Sequence, residues 1–281
     1  MPKSYQTRIK AFKKLLDEAD YVLVGAGAGL STAAGFEYGG EFFQKHFADV
    51  ARKYGLTDMY TAGFYPFPTV EEKWGFWSRM VYFNRYQATT ANPTYRALLA
   101  LIKDKDYFVV TTNVDHQFQL AGFDPDRLFY MQGDYGLFQC SVPCHNRTYD
   151  NRDAILAMVA QQKDGKIPTA LVPHCPVCGH EMAMNLRSDD RFVQDAGWYR
   201  HAELYQNFLS KTHGKKVVLL EIGVGYNTPA IIKFPFESMT YQNPQARLVR
   251  INKHHAICDA DIADQTLLFD EDLNDLMQKL K

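Results

Sequence analysis

The sequence predicts an α/β fold, a doubly wound parallel sheet into which a smaller domain is inserted. Several short apolar segments have the length of buried parallel strands, and helical patterns separate them. Most of these strands end in glycine or in a small polar residue. In a doubly wound sheet the carboxyl ends of the strands line one crevice, where ligands bind. The chain has 281 residues, enough for a large single domain or for one domain with a sizeable insertion.

The first strand and the turn after it give the strongest local signal. Residues 21–24 predict a buried strand, and the small residues 25–29 predict a turn before a helix that starts near Ser31. A strand, a glycine turn and a helix together present backbone N–H groups to a phosphate. Gly25 and Gly27 match the opening of the dinucleotide pattern G-x-G-x-x-G, but its third glycine is missing. We therefore expect phosphate binding, with an ordinary strand-to-helix turn as the alternative.

The remaining regular elements follow from apolar periodicity. Further strands are predicted at residues 107–111, 128–131, 216–222, 247–251 and 266–269. Helices are predicted at residues 4–19, 41–54, 202–209 and 271–280, and from the cap pair Asn92-Pro93 onward.

Two segments do not fit a repeating strand and helix pattern. Residues 55–86 are rich in aromatic side chains and contain prolines, and they predict a small helical excursion with an aromatic core or a pocket wall. Residues 139–195 have little periodicity, so we expect a compact insertion held by something other than a hydrophobic core.

Composition excludes some functional classes. Hydrophobic residues make up 46% of the chain and charged residues 22%, as in ordinary globular proteins. The net charge of −1 gives no general attraction to nucleic acid or to an anionic membrane. No apolar segment has the length of a signal peptide or a membrane span. We expect a cytoplasmic protein.

Four of the five cysteines form two close pairs, Cys140-x3-Cys144 and Cys175-x2-Cys178. This spacing predicts a structural zinc ion bound by four thiolates, with small buried thiols as the alternative. Cys258 stands alone and predicts a buried residue rather than a nucleophile. A histidine in place of one cysteine is a less favoured alternative, with the nearby candidates His145, His174 and His180.

Three features now coincide. Residues 27–35, Gly-Ala-Gly-Leu-Ser-Thr-Ala-Ala-Gly, follow the first strand, and residues 112–115, Thr-Asn-Val-Asp, follow the second. The four cysteines precede a strand that ends at Gly223 and Gly225, and Asn252 follows the next strand. Together these segments resemble the sirtuin (Sir2-like) family.

The resemblance spans about residues 20–280. It implies NAD as co-substrate, bound in the crevice between a Rossmann-like domain and a smaller zinc-bearing, helical domain. The Rossmann-like NAD-binding domain is predicted to comprise residues 1–40, 90–138 and 200–281. The small domain is predicted to comprise the aromatic-rich helical residues 41–89 and the zinc module at residues 139–199.

Departures from the family pattern indicate one branch of it. Residues 36–40 replace the usual I-P-D-F-R, Gly223-Val224-Gly225 replaces G-T-S, and Gln132-Gly133 replaces a His-Gly pair. Together with residues 185–190, Asn-Leu-Arg-Ser-Asp-Asp, this resembles the macrodomain-linked class M sirtuins, which are microbial protein ADP-ribosyltransferases. That resemblance implies a lipoylated H-protein-like carrier as acceptor, a partner macrodomain hydrolase that removes the modification, and a link to oxidative stress.

The resemblance also implies roles for individual residues. The catalytic candidates are Asn113 at the nicotinamide carboxamide and ribose, Gln132 at the ribose hydroxyls, and Arg187 orienting the ribose or the acceptor. Asp115 has a second interpretation as a helix cap, and Arg187 a second one as a solvated charge. The candidates for NAD binding are Gly27, Ala28, Gly29, Ser31, Thr32, Asn113, Asp115, Gln132, Gly223, Gly225, Asn252 and Asp264.

Three functions remain open from the sequence. The first is NAD-dependent protein ADP-ribosyl transfer with release of nicotinamide. The second is NAD-dependent deacylation, which needs a general base that Gln132 cannot supply near neutral pH. The third is a non-catalytic NAD or ADP-ribose binding module, against which Asn113 and Asp115 argue because a pure binder needs no nicotinamide pocket.

Overall fold

The structure is a computed structural model that describes residues 4–280. In chain order its strands are β1 Tyr21–Ala26, β2 Asp106–Thr111, β3 Leu128–Tyr130, β4 Gly133–Cys140, β5 Thr148–Asp150, β6 Met182–Leu186, β7 Val217–Ile222, β8 Arg247–Ile251 and β9 Thr266–Phe269. Its α-helices are α1 Tyr5–Glu18, α2 Ala28–Ala33, α3 Gly40–His46, α4 Ala48–Tyr54, α5 Met59–Gly63, α6 Val70–Val81, α7 Pro93–Ile102, α8 Gln117–Leu120, α9 Arg152–Gln161, α10 Ala196–Thr212, α11 Lys233–Gln242 and α12 Leu273–Leu280. A π-helix spans Tyr82–Tyr86, and 3₁₀ helices span Pro125–Arg127, Thr169–Leu171 and Ala260–Gln265.

A six-stranded parallel sheet forms the centre of the molecule, in the order β3-β2-β1-β7-β8-β9. From β1 the chain adds β2 and β3 on one side of the sheet, and later adds β7, β8 and β9 on the other side. The strand order therefore reverses beside β1. In such sheets the carboxyl ends of the strands open into a crevice at this switch point. The parallel sheet confirms the predicted fold class and places the ends of β1, β2 and β7 side by side.

Helices cover both faces of this sheet, and each face has its own apolar core. On one face, side chains of α1, α7 and α12 pack against β1, with Phe12, Tyr95 and Leu276 fully buried. On the other face, α10 and α11 pack against the same sheet through Phe208 and Phe236. Burial on both faces explains why these strands read as continuous apolar segments.

A second, smaller sheet is antiparallel and has the order β5-β4-β6. It shares a third apolar core with helices α3 to α6 and α9, in which Trp74 packs edge-on against Phe138 at 5.1 Å between ring centres. Ile155 and Met158 of α9 are fully buried in this core. The expectation that residues 139–195 lack a hydrophobic core is therefore wrong. The division of the chain into two domains stays a prediction.

Several element boundaries differ from the sequence prediction. β1 continues to Ala26, and α2 begins at Ala28 rather than near Ser31. The single helix predicted at residues 41–54 is two helices that meet at Phe47, whose φ of −130° is not helical. Strand β4 and helices α9 and α11 were not predicted.

A buried group of charges joins β7, β8 and α11. Glu221 accepts from Lys233 and from Arg250, each over 2.8 Å, and all three side chains are fully buried. Arg250 also donates to Glu237 and to the carbonyl oxygen of Ile257, in the loop after β8. Because each charge has a partner, the group is neutral as a whole and fixes the position of that loop.

Within residues 4–280, none of the helices combines the length and the apolar character that crossing a bilayer requires.

Candidate functional site

Three glycines bring β1 and β7 together at the carboxyl edge of the sheet. The N–H of Gly29 donates to the carbonyl oxygen of Gly223 over 2.9 Å. A Cβ atom at Gly27 would lie 2.7 Å from that carbonyl oxygen, and one at Gly29 would lie 2.6 Å from the Cα atom of Gly223. Gly223 has a φ of +62°, which residues with a side chain rarely adopt. Close backbone packing therefore requires these glycines, whether or not a phosphate binds beside them.

Gly223→Ala should destabilise the protein by about 2–4 kcal/mol, because it adds left-handed strain and a backbone clash. Its Cβ atom would lie 2.5 Å from the Cα atom of Gly29. Gly225→Ala is the matched control, since no heavy atom lies within 4 Å of the Cβ position there. Urea unfolding measures both variants, and equal midpoints would contradict the packing argument.

A polar cluster lies behind the glycine turn. Asn113 follows β2, and its side-chain amide donates to the carbonyl oxygen of Gly27 over 3.0 Å. Ser31 donates to a carboxylate oxygen of Asp115 over 2.6 Å. The hydroxyl of Tyr95 lies 3.2 Å from Ser31 Oγ and 3.4 Å from Asn113 Nδ2. The structure thus brings the candidates Asn113, Ser31 and Asp115 together.

Asp115 is buried, with only 2% of the residue exposed, and this burial raises the pKa of its carboxyl group. One carboxylate oxygen accepts from the backbone N–H of Gln117 over 3.1 Å, at the start of α8. The other oxygen accepts from Ser31. The helix-cap interpretation of Asp115 is therefore supported by a contact, and its role toward NAD stays a prediction.

Gln132 and Arg187 are joined through the backbone, since the N–H of Arg187 donates to the carbonyl oxygen of Gln132 over 3.0 Å. The guanidinium carbon of Arg187 lies 4.7 Å from the ring centre of Phe192 and 5.5 Å from that of Trp198. No carboxylate within residues 4–280 forms a salt bridge with this guanidinium. A cation held on aromatic faces without a carboxylate partner can attract an anion.

A cavity of about 670 Å³ lies beside these two residues, and Gln132 and Arg187 both line it together with Thr112 and Thr228. Besides Arg187, its charged lining residues are Lys73, Asp189 and Arg191. Its large apolar and aromatic lining residues are Tyr38, Tyr60, Phe64, Trp74, Trp77, Met80, Tyr135 and Met184. The aromatic segment at residues 55–86 was predicted to form a core or a pocket wall. Its side chains form part of an apolar core and also part of the cavity wall.

Asn252 joins the loops that follow β7 and β8. Its amide donates to the carbonyl oxygen of Val224 over 3.0 Å, and its oxygen accepts from the backbone N–H groups of His254 and His255. Both side-chain polar atoms are used, so Asn252 fixes the shape of the loops at this side of the crevice.

Six candidates are exposed: Gly29 and Arg187, described above, and also Ala28, Thr32, Gly225 and Asp264. Ala28 begins α2, and the hydroxyl of Thr32 donates back to its carbonyl oxygen over 3.1 Å. Gly225 faces open space. Asp264 lies in the 3₁₀ helix Ala260–Gln265, and within the described part of the chain no hydrogen bond joins it to another candidate. The structure does not bring Asp264 together with the polar cluster.

The predicted zinc ligands form a compact cluster. The sulfur atoms of Cys140, Cys144, Cys175 and Cys178 all lie within 4.8 Å of one another. The Cys140–Cys178 and Cys144–Cys175 sulfur distances are 3.5 and 3.7 Å. Four thiolates about 2.3 Å from a zinc ion are spaced about 3.8 Å apart, whereas a disulfide bond is about 2.05 Å long. The donor set therefore fits tetrahedral zinc and not disulfides.

The surroundings lower the pKa of one thiol of the cluster and raise the pKa of two others, Cys144, through burial, and Cys178. Burial acts to raise the pKa of the Cys175 thiol, but nearby backbone N–H groups, led by that of Cys178, lower it to about 7. His145 places Nδ1 2.9 Å from the sulfur of Cys144 and Nε2 2.8 Å from the hydroxyl of Tyr149. This histidine supports a ligand rather than replacing one. Four thiolates leave no open coordination position, so the zinc ion is structural.

The fold is similar to that of solved sirtuins. A sirtuin bound to a propionylated peptide is 19% identical, with a TM-score of 0.59 and coverage of 97% of this chain and 96% of its own. A Sir2 complex with a p53 peptide and NAD⁺ is also 19% identical, with a TM-score of 0.55 and the same coverages. These likenesses establish the fold.

Sequence similarity to known proteins goes further. A protein ADP-ribosyltransferase of Staphylococcus aureus strain Mu50 is 38% identical over 269 residues, which are 95% of this chain and 85% of that protein. This chain belongs to the sirtuin-type protein ADP-ribosyltransferases. A probable bifunctional ADP-ribose hydrolase/ADP-ribosyltransferase of Fusarium oxysporum f. sp. cubense is 30% identical over 257 residues, 88% of this chain and 42% of that protein. No family model matches the chain.

Sequence reasoning missed two tyrosines in the cavity of this sirtuin-type transferase. The hydroxyl groups of Tyr38 and Tyr135 lie 3.5 Å apart. Burial raises the pKa of Tyr38 to about 12 and that of Tyr135 well above its ordinary value, so both stay protonated near neutral pH. The available signal for Tyr38 was its place in the segment that replaces the family's I-P-D-F-R.

A charged group next to Gln132 was also missed. Asp134 accepts from Nε of Arg85 over 3.1 Å, from Nδ1 of His116 over 2.7 Å and from the backbone N–H of Gly136 over 2.6 Å. Burial acts to raise the pKa of Asp134, but the hydrogen bond from His116 and the charge of Arg85 hold it below its usual range. Asp134 is therefore an ionised carboxylate near neutral pH.

Proposed function

We propose that this protein transfers the ADP-ribose of NAD to a carboxylate side chain of a specific protein acceptor and releases nicotinamide. The observation that carries the proposal is that Gln132 lines the cavity with an amide. The sequence resemblance matches Gln132 to the residue that is a histidine base in deacylating sirtuins. The activity for which the Staphylococcus relative is named supports the transfer reaction. The sirtuin complex that contains NAD⁺ supports the co-substrate.

The acceptor class follows from what the cavity offers to a nucleophile. As far as residues 4–280 form it, the cavity wall contains no histidine, and its one carboxylate is Asp189. Nε of Arg191 donates to Asp189 over 3.0 Å, and this contact lowers the pKa of the carboxyl group. A group that releases its proton this readily is a poor general base. An acceptor carboxylate is already ionised near neutral pH and needs no base.

Three residues are assigned roles in this proposal. Asn113 positions the nicotinamide end of NAD, and Gln132 hydrogen-bonds the ribose hydroxyls without removing a proton. Arg187 attracts the acceptor carboxylate, since its guanidinium is exposed on aromatic faces. Cleavage of the nicotinamide bond has an oxocarbenium-like transition state, so these residues act by holding the ribose and the attacking oxygen in line while the site excludes water.

We further propose a lipoylated H-protein-like carrier as the acceptor. A cavity lined by aromatic and apolar side chains, together with the cations Lys73, Arg187 and Arg191, fits an apolar arm carried on an acidic protein surface. The Fusarium relative, named as a probable hydrolase and transferase in one chain, supports a functional link to an ADP-ribose hydrolase such as a macrodomain. The link to oxidative stress rests on the family resemblance. A four-thiolate zinc site fits the reducing cytoplasm.

Incubation with adenine-labelled NAD tests the reaction class. We expect label on a protein in lysate of the source organism, and on purified lipoylated carrier in preference to its unlipoylated form. Release of the label by neutral hydroxylamine would identify a carboxylate ester. Rapid formation of acyl-ADP-ribose from an acyl-lysine peptide, with no labelled protein, would instead establish deacylation. Binding of NAD without nicotinamide release would establish a binding module.

Gln132→His should raise NAD-dependent deacylation of an acyl-lysine peptide, because it restores a group that can take up a ribose proton. General base catalysis contributes about 10²–10⁴-fold, so even partial recovery is measurable. Gln132→Ala is the matched control, since it removes the ribose hydrogen bond without adding a base, and it should lower transfer and leave deacylation absent. Deacylation by the parent at the rate of the histidine variant would contradict the role of Gln132.

A further inference from the structure

We propose that His116 is a positioning residue that holds Gln132 in place for NAD cleavage, acting through Asp134. The inference rests on the proposed function and extends it to a residue outside the cavity. Within the described residues, His116 and Asp164 are the two residues other than glycine with positive φ, at +64° and +50°. Such a conformation is strained for a residue with a side chain. It persists where the surroundings enforce it, and it clusters at functional sites.

The contact that holds His116 in this conformation is its hydrogen bond to Asp134. Nδ1 lies 2.7 Å from the carboxylate, and the two residues are 18 positions apart in the chain. Asp134 is 5% exposed and also accepts from Arg85 and from the N–H of Gly136. The imidazole therefore connects the segment that carries Asn113 with the segment that carries Gln132.

The backbone between Asp134 and Gln132 leaves little freedom. Gly133 has a φ of +96°, and a Cβ atom there would lie 1.9 Å from the carbonyl oxygen of Asn185. The carbonyl oxygen of Gln132 accepts from Arg187. Asn185 and Arg187 therefore hold this short segment at Gly133 and Gln132, and the bond from His116 helps to hold it at Asp134. Loss of that bond leaves the segment free to shift, and Gln132 with it. A misplacement of about 1 Å can cost about 100-fold in rate.

A helix cap alone does not explain the histidine. The carbonyl oxygen of His116 accepts from the N–H of Leu120 over 3.1 Å and so begins α8. Any residue supplies that carbonyl oxygen, and glycine would supply it without strain at positive φ. The imidazole is needed only for its hydrogen bond to Asp134. Asp134 is two residues from Gln132, so this bond connects His116 to the cavity wall.

The test compares His116→Gly with Asp164→Gly, which relieves the other strained position, on an exposed turn away from the cavity. The readouts are nicotinamide release and thermal unfolding. We expect His116→Gly to unfold within about 4 °C of the parent. Its kcat should fall by about 10- to 100-fold with little change in the KM for NAD. Asp164→Gly should keep the parent kcat.

His116→Asn should restore most of the lost kcat, because asparagine tolerates positive φ and its amide can donate to Asp134. Parent-like kcat in a folded His116→Gly protein would overturn the inference and leave His116 as a helix cap. If His116→Gly does not fold, Asp134→Asn decides: it keeps the shape and weakens the bond, so slow NAD cleavage supports the inference and parent-like cleavage overturns it.

Nicotinamide leaves whichever nucleophile receives the ADP-ribose, so its release in lysate, which supplies the acceptor, reports NAD cleavage without the acceptor being identified. A parent protein that cleaves NAD but labels no protein would contradict the proposed transfer and leave the test of His116 valid. A parent protein that does not cleave NAD at all would contradict both.

Discussion

Cys175→Ser should abolish zinc binding and, with it, the folding of the part of the molecule around β4 and β6. Cys175 is 3% exposed, its sulfur completes the four-thiolate cluster, and it belongs to the same apolar core as Trp74 and Phe138. Binding energy at a structural zinc site is folding energy, and it amounts to about 10–16 kcal/mol in small zinc modules. That exceeds the net stability of most domains, about 5–15 kcal/mol, so the core should not survive the loss.

Metal analysis and circular dichroism measure this result. The parent should contain about one zinc ion per chain and unfold cooperatively, while the variant should bind little zinc and lose its near-ultraviolet signal. Cys258→Ser is the control, since that thiol is half-buried and lies outside the cluster. A well-folded parent with far less than one zinc ion per chain would contradict the structural role.

The parallel sheet was predictable because both of its faces are buried. Its strands read as apolar segments of strand length, and the strand ends carry the polar residues that meet at the crevice. Helix α11 gave no such signal, since Pro235 lies inside its first turn and its fully buried residues include Lys233. That lysine is compensated by Glu221, twelve residues earlier. Sequence periodicity cannot show such a partner.

Strand β4 was missed for a related reason. It contains Gly133, Asp134 and Gly136, which lower the strand propensity of any segment. Asp134 is stabilised by Arg85 and His116, two residues that no local pattern connects to it. The apolar core around Trp74 and Phe138 has the same character, since it joins segments that are distant in the chain.

The candidate site was partly predictable. Cysteine spacing predicted the metal cluster, because ligand spacing is a local property of the chain. Asn113 was predicted from its place after a buried strand. The pairing of His116 with Asp134 depends on a positive φ and on the crossing of two segments, and neither is encoded in a local motif.

Asn113→Ala should reduce NAD cleavage by about 10²–10³-fold, which is the usual cost of removing one preorganised hydrogen-bond donor from an active site. The effect on stability should be small. The side chain makes a hydrogen bond of 3.0 Å to the carbonyl oxygen of Gly27 and a longer one to Tyr95, and such a bond contributes about 1 kcal/mol net. Nicotinamide release and thermal unfolding together separate the two effects.

Asn243→Ala is the matched control for this prediction. Its side-chain amide also donates to a backbone carbonyl oxygen over 3.0 Å, that of Lys215, but at a half-buried position after α11, and its oxygen accepts a second bond from the N–H of Gln245. Both variants lose a bond of the same kind and length, so they should unfold at similar temperatures. Only the Asn113 variant should lose turnover, because only its amide lies at the carboxyl edge of β1 and β2. If Asn113→Ala cleaves NAD at the parent rate, or if both variants slow equally, Asn113 does not position the nicotinamide end of NAD.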